Sequence, residues 1–193
     1  RQRQMCIRDR YQTPPKTPVW FIKPRNTHLA NGGAIPFPAG ETVQSGGTLA
    51  VIIGDTARKV PAAQVSRYLA GYALANDVSL PESSFYRPAI KAKCRDGFCP
   101  LGEMGQLENA DRLEIVTEIN GVEQDRWSTA DLVRSVPELI AAISDFITLQ
   151  PGDAVLIGTP HQRVAIKPGD EVTVRAAGLP TLSNRVTQAG AAS

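Results

Sequence analysis

The chain has 193 residues, of which 42% are hydrophobic and 21% are charged, and this composition suits one compact domain. A domain of this length buries roughly 70% of the surface of its unfolded chain, so it needs neither disulfides nor a structural metal to fold. No apolar run approaches the ~20 residues that a helix needs to span a bilayer. We therefore expect a soluble protein without a membrane partner.

The net charge of +2 comes from the first ten residues. Residues 1–10 contain four arginines and one aspartate, and the remaining 17 basic and 18 acidic residues give a net charge of −1. The basic balance is therefore poor evidence for a nucleic-acid partner, and we expect none. We interpret residues 1–10 as a non-native tail before a truncated reading frame, with Arg-rich targeting as the alternative. Residues 11–187 are then the domain, and residues 188–193 a frayed C-terminus.

Two cysteines outside this tail bear on the compartment. Cys94 and Cys99 stand five residues apart, which is neither the spacing of a redox pair nor that of zinc ligands. The tail also lacks the apolar stretch of a signal peptide. We expect two reduced thiols in a cytoplasmic protein.

The first quarter of the chain predicts two strands separated by a loop. Residues 19–22 form a short apolar run that is consistent with a buried strand. Residues 30–47 are rich in glycine and proline and predict a loop, with an extended stretch at residues 35–38. Residues 48–54 are apolar on both faces, so we expect this strand at the centre of its sheet.

A helix and two further strands follow. Pro61 suits a helix start, and apolar residues recur at helical spacing from there to Tyr72. Residues 73–79 predict another strand. Residues 113–119 alternate apolar and polar side chains before Asn120-Gly121, a pair typical of a β-hairpin turn.

The last third of the chain predicts one helix and two similar turns. Residues 129–146 carry one apolar stripe at helical spacing, and Pro137 should restart the helix. Residues 151–153 and 168–170 are both Pro-Gly-Asp, and a strand follows each of them. Strands dominate over two substantial helices, which indicates an α+β fold of antiparallel and mixed sheet.

Six strings, in this chain order, resemble the fumarylacetoacetate hydrolase family. They are Lys23-Pro24-Arg25-Asn26, residues 48–54, Gly71-Tyr72 leading to Asn76-Asp77, Lys93 before Gly97-Phe98-Cys99-Pro100, Thr129-Ala130-Asp131-Leu132, and Pro151-Gly152-Asp153 leading to Gly158-Thr159-Pro160. The resemblance covers residues 17–187. It implies a β-rich fold in which a mixed sheet rolls on itself, with a few helices.

Longer strings at residues 19–26, 71–82 and 85–100 are similar to bacterial members of this family with two homologous halves. Those members isomerise and decarboxylate intermediates of aromatic-acid breakdown, and this chain resembles their N-terminal half. The resemblance implies an unsaturated oxo-dicarboxylate as the small-molecule substrate. It also implies a homologous C-terminal-type subunit, or a homo-oligomer, as the partner.

The resemblance further implies Mg²⁺ or Mn²⁺, held by a Glu-x-Glu pair and an aspartate. Alternation along a strand would aim both glutamates at one ion. Here the paired positions are Gly46 and Thr48, and only Asp77 remains as a carboxylate, since Glu41 has the wrong spacing. One carboxylate and a hydroxyl make a poor site for a hard cation, so we expect metal binding to be absent or weak.

Three residues are the catalytic candidates. Lys93 matches the family lysine that reaches the oxo or carboxylate end of the substrate, and Thr159 matches a substrate-contacting threonine. Asp77 completes the set and is also the candidate metal ligand. We expect the three side chains to converge on one concavity although they are distant in sequence.

Arg87, Arg95 and His161 are the substrate-binding candidates. A cluster of cations around Lys93 could bind the carboxylates of a dioate. Alternatively these are surface charges paired with Glu82, Asp96 and Glu103, and we favour Lys93 for the site and Lys91 for the surface. His161 could act as an acid or base at a pocket mouth, or lie in an exposed loop.

Two functional hypotheses remain open. Hydrolysis is not supported, because the family's hydrolases use a His–Glu dyad, and neither His28 nor His161 is followed three residues later by glutamate. The chain is either a catalytic half, with isomerisation as the reaction that needs only a proton relay, or a degenerate half that stabilises a metal-bearing partner.

Overall fold

The computed structural model describes residues 17–81, 89–159 and 163–189. The strands are β1 (His28–Ala30), β2 (Ala34–Phe37), β3 (Val43–Ser45), β4 (Gly47–Ile53), β5 (Leu69–Asn76), β6 (Cys99–Leu101), β7 (Glu114–Ile119), β8 (Val122–Ser128), β9 (Ala154–Leu156), β10 (Val164–Ile166), β11 (Glu171–Ala176) and β12 (Leu182–Gln188). The α-helices are Ile90–Lys93 and Val136–Phe146, and 3₁₀ helices lie at Arg25–Thr27, Ala62–Tyr68, Ala110–Arg112 and Thr129–Asp131. None of the helices in these ranges has the length and apolar content needed to cross a membrane.

The strands form two five-stranded sheets and one two-stranded sheet. The larger sheets have the orders β1-β6-β5-β4-β9 and β2-β12-β11-β7-β8, and β10 pairs with β3. β1 pairs with β6, and β2 with β12, in parallel, whereas the other pairs are antiparallel. The predicted α+β fold with mixed sheet and few helices is confirmed.

The main core lies between the two five-stranded sheets. Leu49 and Val51 of β4 pack in one cluster with Ile115 of β7 and Val174 of β11, all fully buried. Because side chains alternate across a strand, the intervening residues of β4 point away from this core. β4 lies between β5 and β9, and six of its seven residues are buried, which confirms the predicted central strand.

The predicted turns are also confirmed. Asn120 and Gly121 both have positive φ, 52° and 77°, as the tight hairpin between β7 and β8 requires. In each Pro-Gly-Asp turn the aspartate accepts a bond from the backbone N–H three residues earlier. These bonds are Gln150 N to Asp153 Oδ2, 2.8 Å, and Lys167 N to Asp170 Oδ2, 3.0 Å.

The long helix begins later than its apolar stripe predicts. Residues 129–131 form only a 3₁₀ turn, and the α-helix starts at Val136. Ser135 caps it through a reciprocal pair of bonds with Glu138, and Pro137 lies in the first turn, where its missing N–H has no helical partner to lose. The predicted restart at Pro137 is therefore correct, and the earlier start is not.

The predicted strand at residues 19–22 is wrong. Val19 and Phe21 are each 52% exposed and Ile22 is 74% exposed, and no strand in the described residues pairs with this run. It is held by single contacts instead: Trp20 packs on the main core, and Cys94 Sγ donates to the carbonyl of Ile22. A short apolar run predicts burial only where a neighbouring strand is available to pair with it.

The helical spacing from Pro61 to Tyr72 is also misleading. The helix there is a 3₁₀ helix that ends at Tyr68, and β5 begins at Leu69 rather than at residue 73. Pairing of Leu69 with Ile53 on β4 extends the strand backwards, so a tertiary contact overrides the local pattern. Within the predicted loop at residues 30–47, β3 forms because β10 pairs with it.

The ends of the chain are partly described. Residues 1–10 lie outside the described residues, so their interpretation as a non-native tail stays a prediction. β12 runs to Gln188, and Ala189 N donates to the carbonyl of Phe37 at 2.8 Å. These bonds lie just beyond the predicted end of the domain, and residues 190–193 are outside the described part.

Candidate active site

The site forms where β4 begins and β5 ends. Gly47 and Asn76 are register partners, and the side chain of Asn76 accepts bonds from Gly46 N and Ser45 Oγ, both 2.9 Å. Asp77 N in turn donates to Gly46 O at 2.9 Å. Asn76 therefore fixes the backbone before β4 and places Asp77 directly beside Gly46.

Three cations surround the carboxylate of Asp77. Lys23 Nζ lies 2.7 Å from Oδ1, Lys93 Nζ lies 2.9 Å from Oδ2, and Arg163 also pairs with Oδ2. All four groups are largely buried, with side-chain exposures of 7% to 15%. Buried charges require such pairing, because an isolated ion loses most of its solvation.

Arg163 links Asp77 to Thr159. Its guanidinium donates to the carboxylate and to the main-chain carbonyl of Asp77, and to Thr159 Oγ1 at 3.0 Å. A Cβ placed on Gly46 would lie 3.0 Å from Arg163 Nη1 and 3.2 Å from Thr159 Cγ2. The guanidinium therefore fits because residue 46 has no side chain.

The two lysines differ in the donors that they have left. Lys23 Nζ also donates to the carbonyls of Val78 and Phe98, each at 2.8 Å, in addition to its ion pair with Asp77 Oδ1. Lys93 donates to Asp77, and its Nζ lies 5.1 Å from the centre of the Phe21 ring. Of these two lysines, Lys93 has more N–H donors left for a ligand.

The pKa values of the site follow from burial and from these neighbours. Burial alone would raise the pKa of Asp77, but Arg163, Lys23 and Lys93 outweigh it and hold that pKa far below its usual range. Burial lowers the pKa of Lys93, and the nearby Arg163 and Lys23 charges lower it further against the opposing effect of Asp77. The carboxylate stays charged, while Lys93 releases its proton more readily than a free lysine.

The residues present do not fit a divalent cation. Gly46 has no ligand atom, and Thr48 donates its hydroxyl to the carbonyl of Gly158. Both oxygens of Asp77 already contact cations. No group of three or more acidic, histidine or cysteine side chains with metal-binding geometry occurs in the described ranges. A hard cation wants about six oxygens, several of them charged.

The structure brings the three catalytic candidates together. Lys93 contacts Asp77 directly, and Arg163 joins Asp77 to Thr159. Lys93 is 6% exposed, whereas Lys91 on the same short helix is exposed. The three side chains therefore lie in one cluster, whereas their place in a concavity and their catalytic roles stay predictions.

The structure does not bring Arg95, the substrate-binding candidate that it describes, into the cluster around Asp77. The guanidinium of Arg95 pairs instead with Glu41 at 3.1 Å. Glu41 is thus a different acid from the Glu82, Asp96 and Glu103 expected for a surface pair. Arg87 and His161 lie outside the described residues, so their assignment stays a prediction.

Two cations of the site, Lys23 and Arg163, were not among the candidates. Lys23 lies in a string that carries the family resemblance, and that was its available signal. Arg163 follows the Gly-Thr-Pro turn by three residues. A buried aspartate needs counter-cations, so an arginine close to the Thr159 string was the available signal for Arg163.

A family model described as fumarylacetoacetate (FAA) hydrolase C-terminal matches residues 2–187. The chain belongs to the fumarylacetoacetate hydrolase family. Among curated relatives, it is 61% identical over 176 residues to the 4-hydroxyphenylacetate degradation bifunctional isomerase/decarboxylase of Salmonella dublin. The match covers 91% of this chain and 41% of that protein, so the chain spans about two fifths of its relative's length.

Solved structures of the fumarylacetoacetate hydrolase family share the fold. A 2-hydroxyhepta-2,4-diene-1,7-dioate isomerase from Mycobacterium marinum superposes with a TM-score of 0.86 at 34% identity, over 91% of this chain and 71% of that one. Maleylpyruvate hydrolase from Sphingobium sp. SYK-6, in complex with manganese (II) and pyruvate, gives 0.81 at 27% identity, over 90% and 66%. Family relatives therefore include an isomerase and a manganese-binding protein, whereas the described donor set here does not suit a metal.

Proposed function

We propose that this chain is the N-terminal half of a bifunctional isomerase/decarboxylase of 4-hydroxyphenylacetate catabolism. The observation that carries the proposal is the buried cluster of Lys23, Lys93 and Arg163 around Asp77, with a formal charge of +2. Such a cluster suits an unsaturated oxo-dicarboxylate, because ammonium and guanidinium groups bind carboxylates through charge-assisted hydrogen bonds. The 61% identity to the enzyme from Salmonella dublin supports the substrate class.

The reaction that this half supports best is the isomerisation of 2-hydroxyhepta-2,4-diene-1,7-dioate to 2-oxohept-3-ene-1,7-dioate. The 2-hydroxyl loses a proton, the electron pairs move along the conjugated double bonds, and C5 gains a proton. Lys93 in its neutral form accepts the hydroxyl proton and returns it at C5. Its lowered pKa makes that form more accessible. Arg163 stabilises the negative charge that develops on the oxygen.

The second activity of the pathway enzyme is decarboxylation of 5-oxopent-3-ene-1,2,5-tricarboxylate. That step needs an electron sink beside the departing carboxylate, which a divalent metal supplies in the family as a Lewis acid. Gly46 and Thr48 replace the carboxylates that would hold such an ion. We therefore assign decarboxylation to a homologous C-terminal-type partner subunit, with a homo-oligomer as the other assembly that fits.

A second candidate function is a catalytically degenerate half that stabilises the metal-bearing partner. The observation in its favour is that both oxygens of Asp77 are engaged by cations of its own chain. In this case the cluster would only hold β5, the short helix and the segment after β9 together. The carboxylate would have no part in the chemistry.

Activity of the purified chain, alone and in complex with the partner half, separates the two functions. A catalytic half isomerises the dienol alone, and adding the partner brings decarboxylation. A degenerate half is inactive alone, and the complex has no more isomerase activity than the partner by itself.

We also place this half in the cytoplasm. Cys94 and Cys99 are both free thiols, the state that a reducing compartment maintains. Cell fractionation of the native host with an antibody against the chain tests this assignment.

A further inference from the structure

The guanidinium of Arg163 occupies a position that resembles an ion site. It contacts a carboxylate oxygen and a carbonyl oxygen of Asp77 and the hydroxyl oxygen of Thr159. Carboxylate, carbonyl and hydroxyl oxygens are the kinds of ligand that hard cations use. Here a covalently attached cation sits among them.

The absence of a side chain at residue 46 makes this arrangement possible. A Cβ there would lie 3.0 Å from Arg163 Nη1 and 3.3 Å from the carbonyl oxygen of Asp77. A glutamate at this position, as in a Glu-x-Glu pair, would project into the space that the guanidinium fills. A glycine at residue 46 together with Arg163 is therefore one arrangement of this position, and a glutamate at residue 46 together with a metal ion would be the other.

The cluster keeps positive charge and donors for an anion. Three buried cations share the single carboxylate of Asp77 among the described residues. Arg163 uses three of its five N–H bonds in the contacts above, and Lys93 uses one of three. Mutual repulsion of the cations favours an anionic ligand and opposes a divalent cation.

We propose that Arg163 replaces the divalent cation in this chain, and that Arg163 and Lys93 bind the carboxylate of an oxo acid without metal. A guanidinium carries a permanent charge in proteins, so the site needs no ion from solution. This inference deepens the proposed function and rests on it for the class of ligand. The inference goes beyond the proposed function because it names Arg163 as the group that takes the place of the metal.

Isothermal titration calorimetry on the full chain, pretreated with EDTA, tests the proposal with 2-oxoglutarate as the oxo-dicarboxylate probe. We expect 2-oxoglutarate to bind in EDTA, and we expect Mn²⁺ added to EDTA-free protein to give no saturable heat below millimolar concentration. Arg163→Gln should weaken 2-oxoglutarate binding at least about tenfold, roughly the loss of one charge-assisted contact. Arg163→Lys, which keeps the charge, should weaken it less.

The matched control is Arg126→Gln. Arg126 is an exposed arginine paired with Glu114 and Glu123 on the other sheet. The Arg126→Gln variant should bind 2-oxoglutarate with the same affinity as the unmodified chain. Circular dichroism of each variant confirms the fold. If Arg163→Gln fails to fold, Arg163→Lys supplies the comparison.

A gain-of-function variant tests the replacement in the other direction. Gly46→Glu, Thr48→Glu and Arg163→Gln combined should acquire Mn²⁺ binding, measured as loss of the free Mn²⁺ signal in electron paramagnetic resonance. Gly46→Glu and Thr48→Glu without the change at Arg163 should bind Mn²⁺ more weakly than the triple variant. Equal affinity of the double and triple variants would count against Arg163 as the occupant of the metal position.

Two outcomes overturn the inference: micromolar Mn²⁺ binding by the unmodified chain, or 2-oxoglutarate binding that appears only with Mn²⁺. The proposed function fails separately. Oxo-acid binding in EDTA without turnover of the dienol would leave the inference standing and remove the isomerase assignment. Dienol turnover that requires Mn²⁺ would remove the inference and leave the isomerase assignment standing.

Discussion

Arg163 and Asp77, 86 residues apart in sequence, are joined twice, because the guanidinium contacts both the carboxylate and the main-chain carbonyl of Asp77. The same arginine reaches Thr159 on the segment that follows β9. The end of β5 is thus connected to the loop between β9 and β10 through one side chain. Changes at either residue should affect both stability and ligand binding.

Removing the charge of Asp77 should destabilise the fold strongly. Asp77→Asn leaves Lys23, Lys93 and Arg163 buried without their common counter-ion, and breaking a buried ion pair in this way costs about 3–5 kcal/mol. Urea denaturation followed by circular dichroism measures the loss. Glu123→Gln, which removes an exposed acid paired with Arg126, is the control and should leave the midpoint unchanged. A loss no larger than in the control would show that the cluster does not hold the fold.

The stability of the chain should fall in acid through Asp77. The pKa of Asp77 is lower in the folded state than the 3.8 of a free aspartate, so the unfolded chain binds the proton first. The contribution of Asp77 is therefore fully present above its unfolded pKa and is lost as the pH falls below it toward the folded pKa. Urea midpoints between pH 3 and pH 7 should decline at the acid end. The decline should be shallower in Asp77→Asn, and parallel curves would contradict the assignment.

Lys93→Met should abolish isomerisation while leaving most of the fold intact. The variant keeps the apolar stem of the side chain but removes the amine that we assign to proton transfer, and general acid–base catalysis contributes about 10²–10⁴-fold to rates. Stopped-flow absorbance of the conjugated dienol measures kcat and KM. Lys91→Met, at the exposed lysine of the same short helix, should retain activity. A variant at Lys93 with normal kcat would show that Lys93 is not the residue that transfers the proton.

Gly46→Ala should interfere with Arg163 specifically. The added methyl would lie 3.0 Å from Nη1, so the guanidinium must shift, and overpacking of this kind costs about 1–3 kcal/mol. Truncating the arginine makes room, so Gly46→Ala should cost less in an Arg163→Ala background. A double-mutant cycle on unfolding free energies measures this coupling. Additive effects would place the methyl and the guanidinium too far apart to interact.

Asn120→Ala should loosen the hairpin between β7 and β8. Asn120 has φ 52°, a conformation that alanine adopts reluctantly, and its side chain bonds Asp170 Oδ1 and Glu171 N, each at 2.9 Å. Loss of these bonds and the added strain should cost about 1–3 kcal/mol. Thermal denaturation measures the effect. Gln124→Ala on β8 is the control, since its side-chain amide donates only to the nearby carbonyl of Val122, at 3.4 Å.

The features that the sequence predicted correctly are those with local causes. The Asn120-Gly121 hairpin and the two Pro-Gly-Asp turns depend on residues within three positions of one another. β4 is predicted by its own unbroken apolar run, which only the centre of a sheet can bury. The resemblance to the family also pointed to Lys93, Asp77 and Thr159, because the strings that contain these residues stand in the family's order along the chain.

The remaining features depended on which distant segments meet. The apolar run at residues 19–22 is exposed because no described strand pairs with it, and Leu69 joins β5 because Ile53 lies opposite. Nothing near Asp77 in sequence indicates that Lys23 and Arg163 are its partners. An ion pair has no sequence periodicity, since its energy depends only on distance and on the surrounding dielectric. Only the folded chain shows that the guanidinium of Arg163 faces this aspartate.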